Sequence, residues 1–221
     1  MAALTITLQN QISGLNHQGA IALACGNEKE AHRSFKGALE MLGFLSNNLE
    51  IAEADGGALH PALVSSVPSP GVADERFFVF GEALLFQFGD GEVPSLQDVC
   101  FCSCLSLFNM ALTYHRKAML TGTRQLFLTA SRIYEQALSV ADGLPEESAN
   151  VGCVQVLIRN NLAHIFYYEL DCFEESLQHL ERIKASIQVF ENGLFRMDSP
   201  SKDEILLNLL LTKPPMTARC A

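Results

Sequence analysis

Ala130-Ser-Arg-Ile-Tyr-Glu-Gln-Ala-Leu138 sets a small residue, a large ring and a second small residue four and three positions apart. That spacing puts Ala130, Tyr134 and Ala137 on one face of a helix, where side chains on successive turns stack above one another. The pattern returns twice more without gaps, as Ala31, Phe35 and Ala38 and as Ser176, Leu180 and Ile183. Three such faces predict three packing seams, each with a partner helix. A matching segment precedes each seam: Leu15-Asn16-His17-Gln18-Gly19 with Ala22, then Leu107-Phe108-Asn109-Met110-Ala111-Leu112 with Tyr114, then Ile158, Asn161-Leu162-Ala163 and Phe166. The small residue in each lets the partner helix approach closely.

These paired series resemble the tetratricopeptide repeat, in which a helix carrying Asn, Leu, Gly or Ala, and Tyr packs on one carrying Ala, an aromatic and Ala. The tract Phe108–His115 followed by Ala130–Leu138 is also similar to tetratricopeptide-like proteins of microalgae, and no activity comes with that resemblance. His17 to Ala31 spans 14 positions, Asn109 to Ala130 spans 21, and Asn161 to Ser176 spans 15. The seven extra residues of the middle hairpin make about two helical turns, which leaves every seam residue on its face. The large aromatic that usually stands early in the first helix is absent, Ala22 stands for the usual Tyr, and the repeats are not contiguous. The expected fold is therefore all-α: three degenerate tetratricopeptide-like antiparallel hairpins forming an α-solenoid, closed by a C-terminal capping helix.

The resemblance implies a concave groove lined by the first helices, used in this family to hold partner peptides. Its outward positions are Asn16 and Ala20 in the first hairpin, Phe108, Leu112, His115 and Arg116 in the second, and Asn160, His164 and Tyr167 in the third. Some family members grip an acidic peptide C-terminus with paired Lys, Asn and Arg. Here Asn109 and Asn161 match the recurring Asn, but Leu105 and His17 stand where that clamp needs other residues. The basic tract keeps a weaker preference for acidic peptides. Two spare apolar elements, Phe77–Phe88 and the C-terminal helix, are the candidates to fill the groove from within.

The chain has 221 residues, 48% hydrophobic and 18% charged, enough apolar mass for one sizeable core, read as a single domain over 1–221. Its net charge of -10 argues against nucleic acid, whose phosphates call for clustered Lys and Arg. Between Val99 and Tyr134, however, the only formal charges are Arg116, Lys117, Arg124 and Arg132. Seven cysteines and no basic residue in Met1-Ala2-Ala3-Leu4 point away from a secreted disulfide framework and towards a reducing compartment, cytoplasmic or nuclear. The uncharged run from Val99 to His115 is short for a membrane span and holds Ser103, Ser106, Asn109 and Thr113, so it reads as a buried helix and no membrane is expected.

The first hairpin reads as Gln9 to Ala24, a turn at Cys25-Gly26-Asn27, and Glu28 to Asn48. Residues 54–74, rich in Gly, Pro and Ser, form the expected linker. Phe77-Phe-Val-Phe-Gly-Glu-Ala-Leu-Leu-Phe-Gln-Phe88 reads as a short extended segment of two strands, with Gly81-Glu82 suited to a tight hairpin turn between them, and Leu4-Thr-Ile-Thr-Leu8 as a third extended piece. Helices follow at Leu96–Leu120, Thr123–Ala141, Glu146–Glu169 and Phe173–Glu191, the third opened by Pro145-Glu146-Glu147. Ser201-Lys-Asp-Glu204 reads as a capping box before Ile205-Leu-Leu-Asn-Leu-Leu-Leu211.

Motif chemistry is sparse. Cys100-Phe-Cys-Ser-Cys104 lacks the two-residue gaps and second ligand pair of a zinc site, and its cysteines read as small buried residues. His115 and His164 occupy comparable places on first helices without a companion nucleophile or carboxylate motif. There is no Gly-rich phosphate loop, no His-Glu-x-x-His and no Ser elbow, so neither an enzyme nor a metal or cofactor is expected. The expected function is a non-catalytic adaptor that binds a partner peptide or protein surface. Its rivals are a structural subunit of a larger assembly and a small enzyme or ligand binder using His115 and His164 with Tyr114 or Tyr167.

Overall fold

The computed structural model describes residues 2–49, 65–67, 77–89, 93–145, 148–190 and 199–211. Its elements are α1 (Ala2–Ala24), α2 (Glu28–Leu49), β1 (Ser65–Val67), β2 (Ala83–Leu85), α3 (Leu96–Thr121), α4 (Arg124–Asp142), α5 (Ala149–His164), α6 (Phe173–Phe190) and α7 (Ser199–Leu211), and a π-helical turn, Ile165–Glu169, prolongs α5. The fold is thus all-α apart from one short antiparallel strand pair, with Ser65 opposite Leu85 and Val67 opposite Ala83. Each of the first five helices packs on the next in the chain, and β2 lies against α1 and α3.

The three seams are buried: Ala31, Phe35 and Ala38, then Ala130, Tyr134 and Ala137, are fully inaccessible, as are Ser176 and Ile183, with Leu180 at 5%. Close approach in the first hairpin rests on Gly19, where a Cβ would stand 2.5 Å from Cε1 of Phe35. In the third hairpin the helices touch through a polar contact, the Ser176 hydroxyl donating to the Ala163 carbonyl at 2.9 Å. In the second, the Cys104 thiol of α3 donates to the Ala137 carbonyl of α4 at 3.3 Å.

Local chemistry fixes the helix ends. Gly26 adopts φ 73°, which an L side chain resists, and the amides of Gly26 and Asn27 turn back onto Leu23 and Ala22 to close α1. Asn27 then opens α2, its Oδ1 accepting from the Glu30 amide at 3.2 Å. Ser95 and Asp98 form a reciprocal capping box at the start of α3, and Gly122 at φ 62° ends it. The 26-residue α3 is long and apolar enough to cross a membrane by length and composition, but 67% of its apolar window is buried inside the molecule.

Four expectations are corrected. Leu4–Leu8 is helical, part of an α1 that starts at Ala2; Leu4, Leu8 and Ile12 also recur at helical spacing, and a helix satisfies its own backbone where an isolated five-residue strand does not. No hairpin turn forms at Gly81-Glu82, since Gly81 lacks the positive φ such a turn needs; the partner of β2 is β1, inside the expected linker, whose other residues lie outside those described. The C-terminal helix begins at Ser199-Pro200, ahead of the expected capping box, with the proline in the first turn where its missing N–H costs nothing. Fourth, α5 starts at Ala149; Glu146 and Glu147 lie outside the described residues.

Gly19→Ala drives a methyl group into the Phe35 ring and is expected to destabilise the chain by about 1–3 kcal/mol, measured by urea unfolding. Adding Phe35→Leu should recover part of that loss, because the shorter side chain vacates the contact.

Candidate functional site

Residues 77–88 run extended across the molecule, and only Ala83–Leu85 of them form a strand. An extended backbone buried away from a sheet leaves N–H and C=O groups unpaired, at roughly 1–3 kcal/mol for each group left so. Asparagine side chains supply the partners here. Asn109 of α3 accepts from the Leu84 amide and donates to the Leu84 carbonyl, both at 2.8 Å. Asn161 of α5 does the same for Phe80, at 3.0 and 2.9 Å. Asn208 of α7 does it for Phe78, with both contacts at 2.9 Å.

A carboxamide carries an acceptor and a donor side by side, the pairing that one residue of a neighbouring strand offers to the residue opposite it. The three clamped residues are all even-numbered, so they share one edge of the extended segment, which leaves Ala83 and Leu85 to face β1. The amides are themselves held in place. Asn16 accepts from Asn109 and donates to the Leu84 carbonyl, each at 3.0 Å. Asn160 accepts from Asn208 at 2.8 Å and donates to the Phe78 carbonyl at 3.0 Å. Asn161 also donates to the Tyr134 hydroxyl at 3.0 Å, tying the clamp to the middle seam.

Side chains of the segment pack against the helices between these clamps. Phe77, Phe80, Ala83, Leu84, Phe86 and Phe88 are buried. Phe80 lies against Phe108, and Phe77 against His164 and Tyr168, with ring centroids 5.7 to 6.2 Å apart. The face of α1, α3 and α5 is therefore covered by the chain's own strap, with Asn208 of α7 held to Phe78 at one end.

Beneath Phe77, Nε2 of His115 and Nδ1 of His164 are 3.1 Å apart, and both rings are fully buried. One imidazole must donate and the other accept. Burial, and then the neighbouring His164, push the His115 pKa well below its usual value. The His115 ring also packs on Phe127 and Tyr134, and the Tyr134 phenol is raised by burial against the opposing hydrogen bond from Asn161. Nδ1 of His115 has no hydrogen-bond partner among the described residues.

Of the residues read as groove-lining, Asn16, Phe108, Asn160 and His164 meet the strap, and they do so as covered positions. Asn16, Phe108, Leu112, His115, Asn160 and His164 are fully buried, and Arg116 is 7% exposed. Arg116 donates to the Leu23 carbonyl at 3.0 Å, closing the end of α1. Tyr167 stays half-buried in the π-helical turn, edge-on to Phe173. Of the basic tract, Arg124 likewise reaches backbone, donating to the Glu169 and Leu170 carbonyls at 3.3 and 3.2 Å. Of the tract only Arg116 is withdrawn from the surface; Lys117, Arg124 and Arg132 are exposed. Cys102 and Cys104 are buried thiols held protonated, Cys104 pushed up to about 12 by burial and by Asp142.

Asn109 and Asn161 entered the sequence reading as repeat residues rather than as strap clamps, and Asn208 was missed. The signal for Asn208 was present: one amide interrupts the apolar run Ile205–Leu211, three positions from buried Ile205 and so on the same helical face. The chain matches no protein-family model, no curated protein and no solved structure.

Asn109→Ala and Asn161→Ala each strand a buried amide and carbonyl, so each is expected to cost about 1–3 kcal/mol and to speed exchange of the Leu84 or Phe80 amide respectively, read by hydrogen exchange. Acid should weaken the fold. His115 lies well below its usual pKa, and burial with nearby Arg159 lowers His179 to about 4. Depressed folded-state values mean that stability is complete above the unfolded histidine value near 6.5. It declines as pH falls below that, by at most about 1.4 kcal/mol per pH unit for each group. The urea midpoint should therefore drop between pH 7.5 and pH 5, and His179→Gln should flatten the slope.

Proposed function

We propose that this chain is a non-catalytic protein-interaction adaptor of the tetratricopeptide-like kind. In this reading its hairpins stack as a degenerate α-solenoid, and the face of α1, α3 and α5 is a peptide groove. The observation that carries the reading is the set of amide clamps on Phe78, Phe80 and Leu84, which recognises main chain rather than side chain. A groove equipped this way suits an extended peptide, and its present occupant is the strap 77–88. A partner would take the strap's place, its apparent affinity reduced by the small fraction of molecules with an open groove.

The imidazole pair leaves the catalytic rival less well supported, because the rings packed on it, Phe77, Phe127, Tyr134 and Tyr168, are aromatic. One observation favours a structural subunit instead: the strap buries the groove residues, while Leu207 of α7 is 50% exposed. Under that reading the contact surface is the C-terminal helix.

Capture from native extract separates the two. Phe80→Ser with Phe86→Ser loosens the strap without touching the clamps, and the adaptor reading expects this variant to retain more partner than the unaltered chain. Adding Asn109→Ala and Asn161→Ala should then abolish capture. Capture that is indifferent to both changes, together with a Leu207→Ser variant that dissociates an assembly in light scattering, would favour the subunit reading.

A further inference from the structure

The strap is a cast of the ligand its groove accepts. Every clamp reads N–H and C=O, so the polar contacts demand only that the backbone be extended and carry an N–H at the positions of Phe78, Phe80 and Leu84. The polar partners are asparagines, neutral throughout, and offer no counter-charge to an acidic or basic ligand. Selection falls to the side chains the groove buries. Phe77 meets His164 and Tyr168, Phe80 meets Phe108, Ala83 and Leu84 sit against α1 and α3, and Phe86 follows. Glu82, the strap's one charged residue, instead has its carboxylate turned to the Ser66 hydroxyl.

Resting on the adaptor reading, we propose that the groove's partner is an extended, uncharged segment of another protein with the pattern aromatic-x-x-aromatic-x-x-small-Leu-x-aromatic, and that the strap holds the groove closed by mimicking it. The first aromatic enters beside His164, the second against Phe108, and the small residue with Leu between α1 and α3. Proline at the second, fourth or eighth position is forbidden, since each of those residues must offer its N–H to an asparagine. A tethered strap competes at an effective concentration on the order of mM, so the segment binds the closed chain weakly and the opened chain well.

A fluorescent synthetic peptide covering residues 75–90 tests this by anisotropy against the full chain and against Phe80→Ser with Phe86→Ser. The opened chain should bind at least tenfold more tightly than the unaltered one. N-methylation of the peptide at Phe80 or Leu84 should weaken binding at least tenfold, whereas N-methylation at Val79, which lies on the opposite edge, should change it less than threefold. A scrambled peptide binding equally well, or equal losses at all three N-methyl positions, overturns the pattern. If the opened chain loses its helical circular dichroism, the unaltered chain is read instead by hydrogen exchange with about 100-fold excess peptide: faster exchange at strap amides supports displacement, and unchanged exchange overturns it. An opened chain that ignores this peptide yet captures partners dependent on Asn109 and Asn161 refutes the pattern alone. One that captures nothing refutes the adaptor reading with it.

Discussion

A buried extended chain needs a partner for each of its peptide groups, and the architecture of this molecule follows from how that need is met. Helices spend their backbone bonds internally and have none to lend. The strap therefore takes its bonds from carboxamides projected by three separate helices, α3, α5 and α7, supported by Asn16 of α1 and by Asn160. Each asparagine can reach its residue only if its helix holds the correct height and rotation. The seams supply that order: Gly19 beneath Phe35 sets the first pair, and Tyr134, whose hydroxyl meets Asn161, links the second pair to the third.

Much of this was legible in the residues. Small-large-small spacing located the seams, and all three trios are buried as that spacing implies. Helix boundaries from Glu28 to Phe190 were legible to within a few residues, because Gly26, Asn27, Ser95 and Gly122 act locally through caps and positive φ. What sequence could not give was pairing over distance. Phe80 is 81 positions from Asn161, and Phe78 is 130 from Asn208. Nothing in the aromatic run indicates that its edge will be read by side chains instead of by a second strand, and so Gly81-Glu82 was read as a turn. Leu4–Leu8 misled for a related reason: alternation over five residues fits a strand and a helix face alike.

The site shows the same division. A recurring Asn on first helices marked the residues that hold the strap, and of the positions read as outward Asn16, Phe108, Asn160 and His164 touch it. Their exposure was misjudged because the occupant is part of the same chain. His115 and His164, singled out singly on their helices, meet under Phe77, where burial disfavours the imidazolium that His115 would become on taking up a proton. Arg116 and Arg124, counted as surface charge, are engaged by carbonyls at the ends of α1 and of the π-helical turn. Arg116 is thereby withdrawn from the surface, while Arg124 stays exposed as it caps the turn.

One property of the clamps reaches further. Carboxamides carry no net charge, so the bonds that hold the strap are not screened by dissolved ions as a lysine or arginine grip would be. The strap's hold on the helices is then a matter of packing and of bonds between neutral groups, and it should change little between dilute buffer and strong salt.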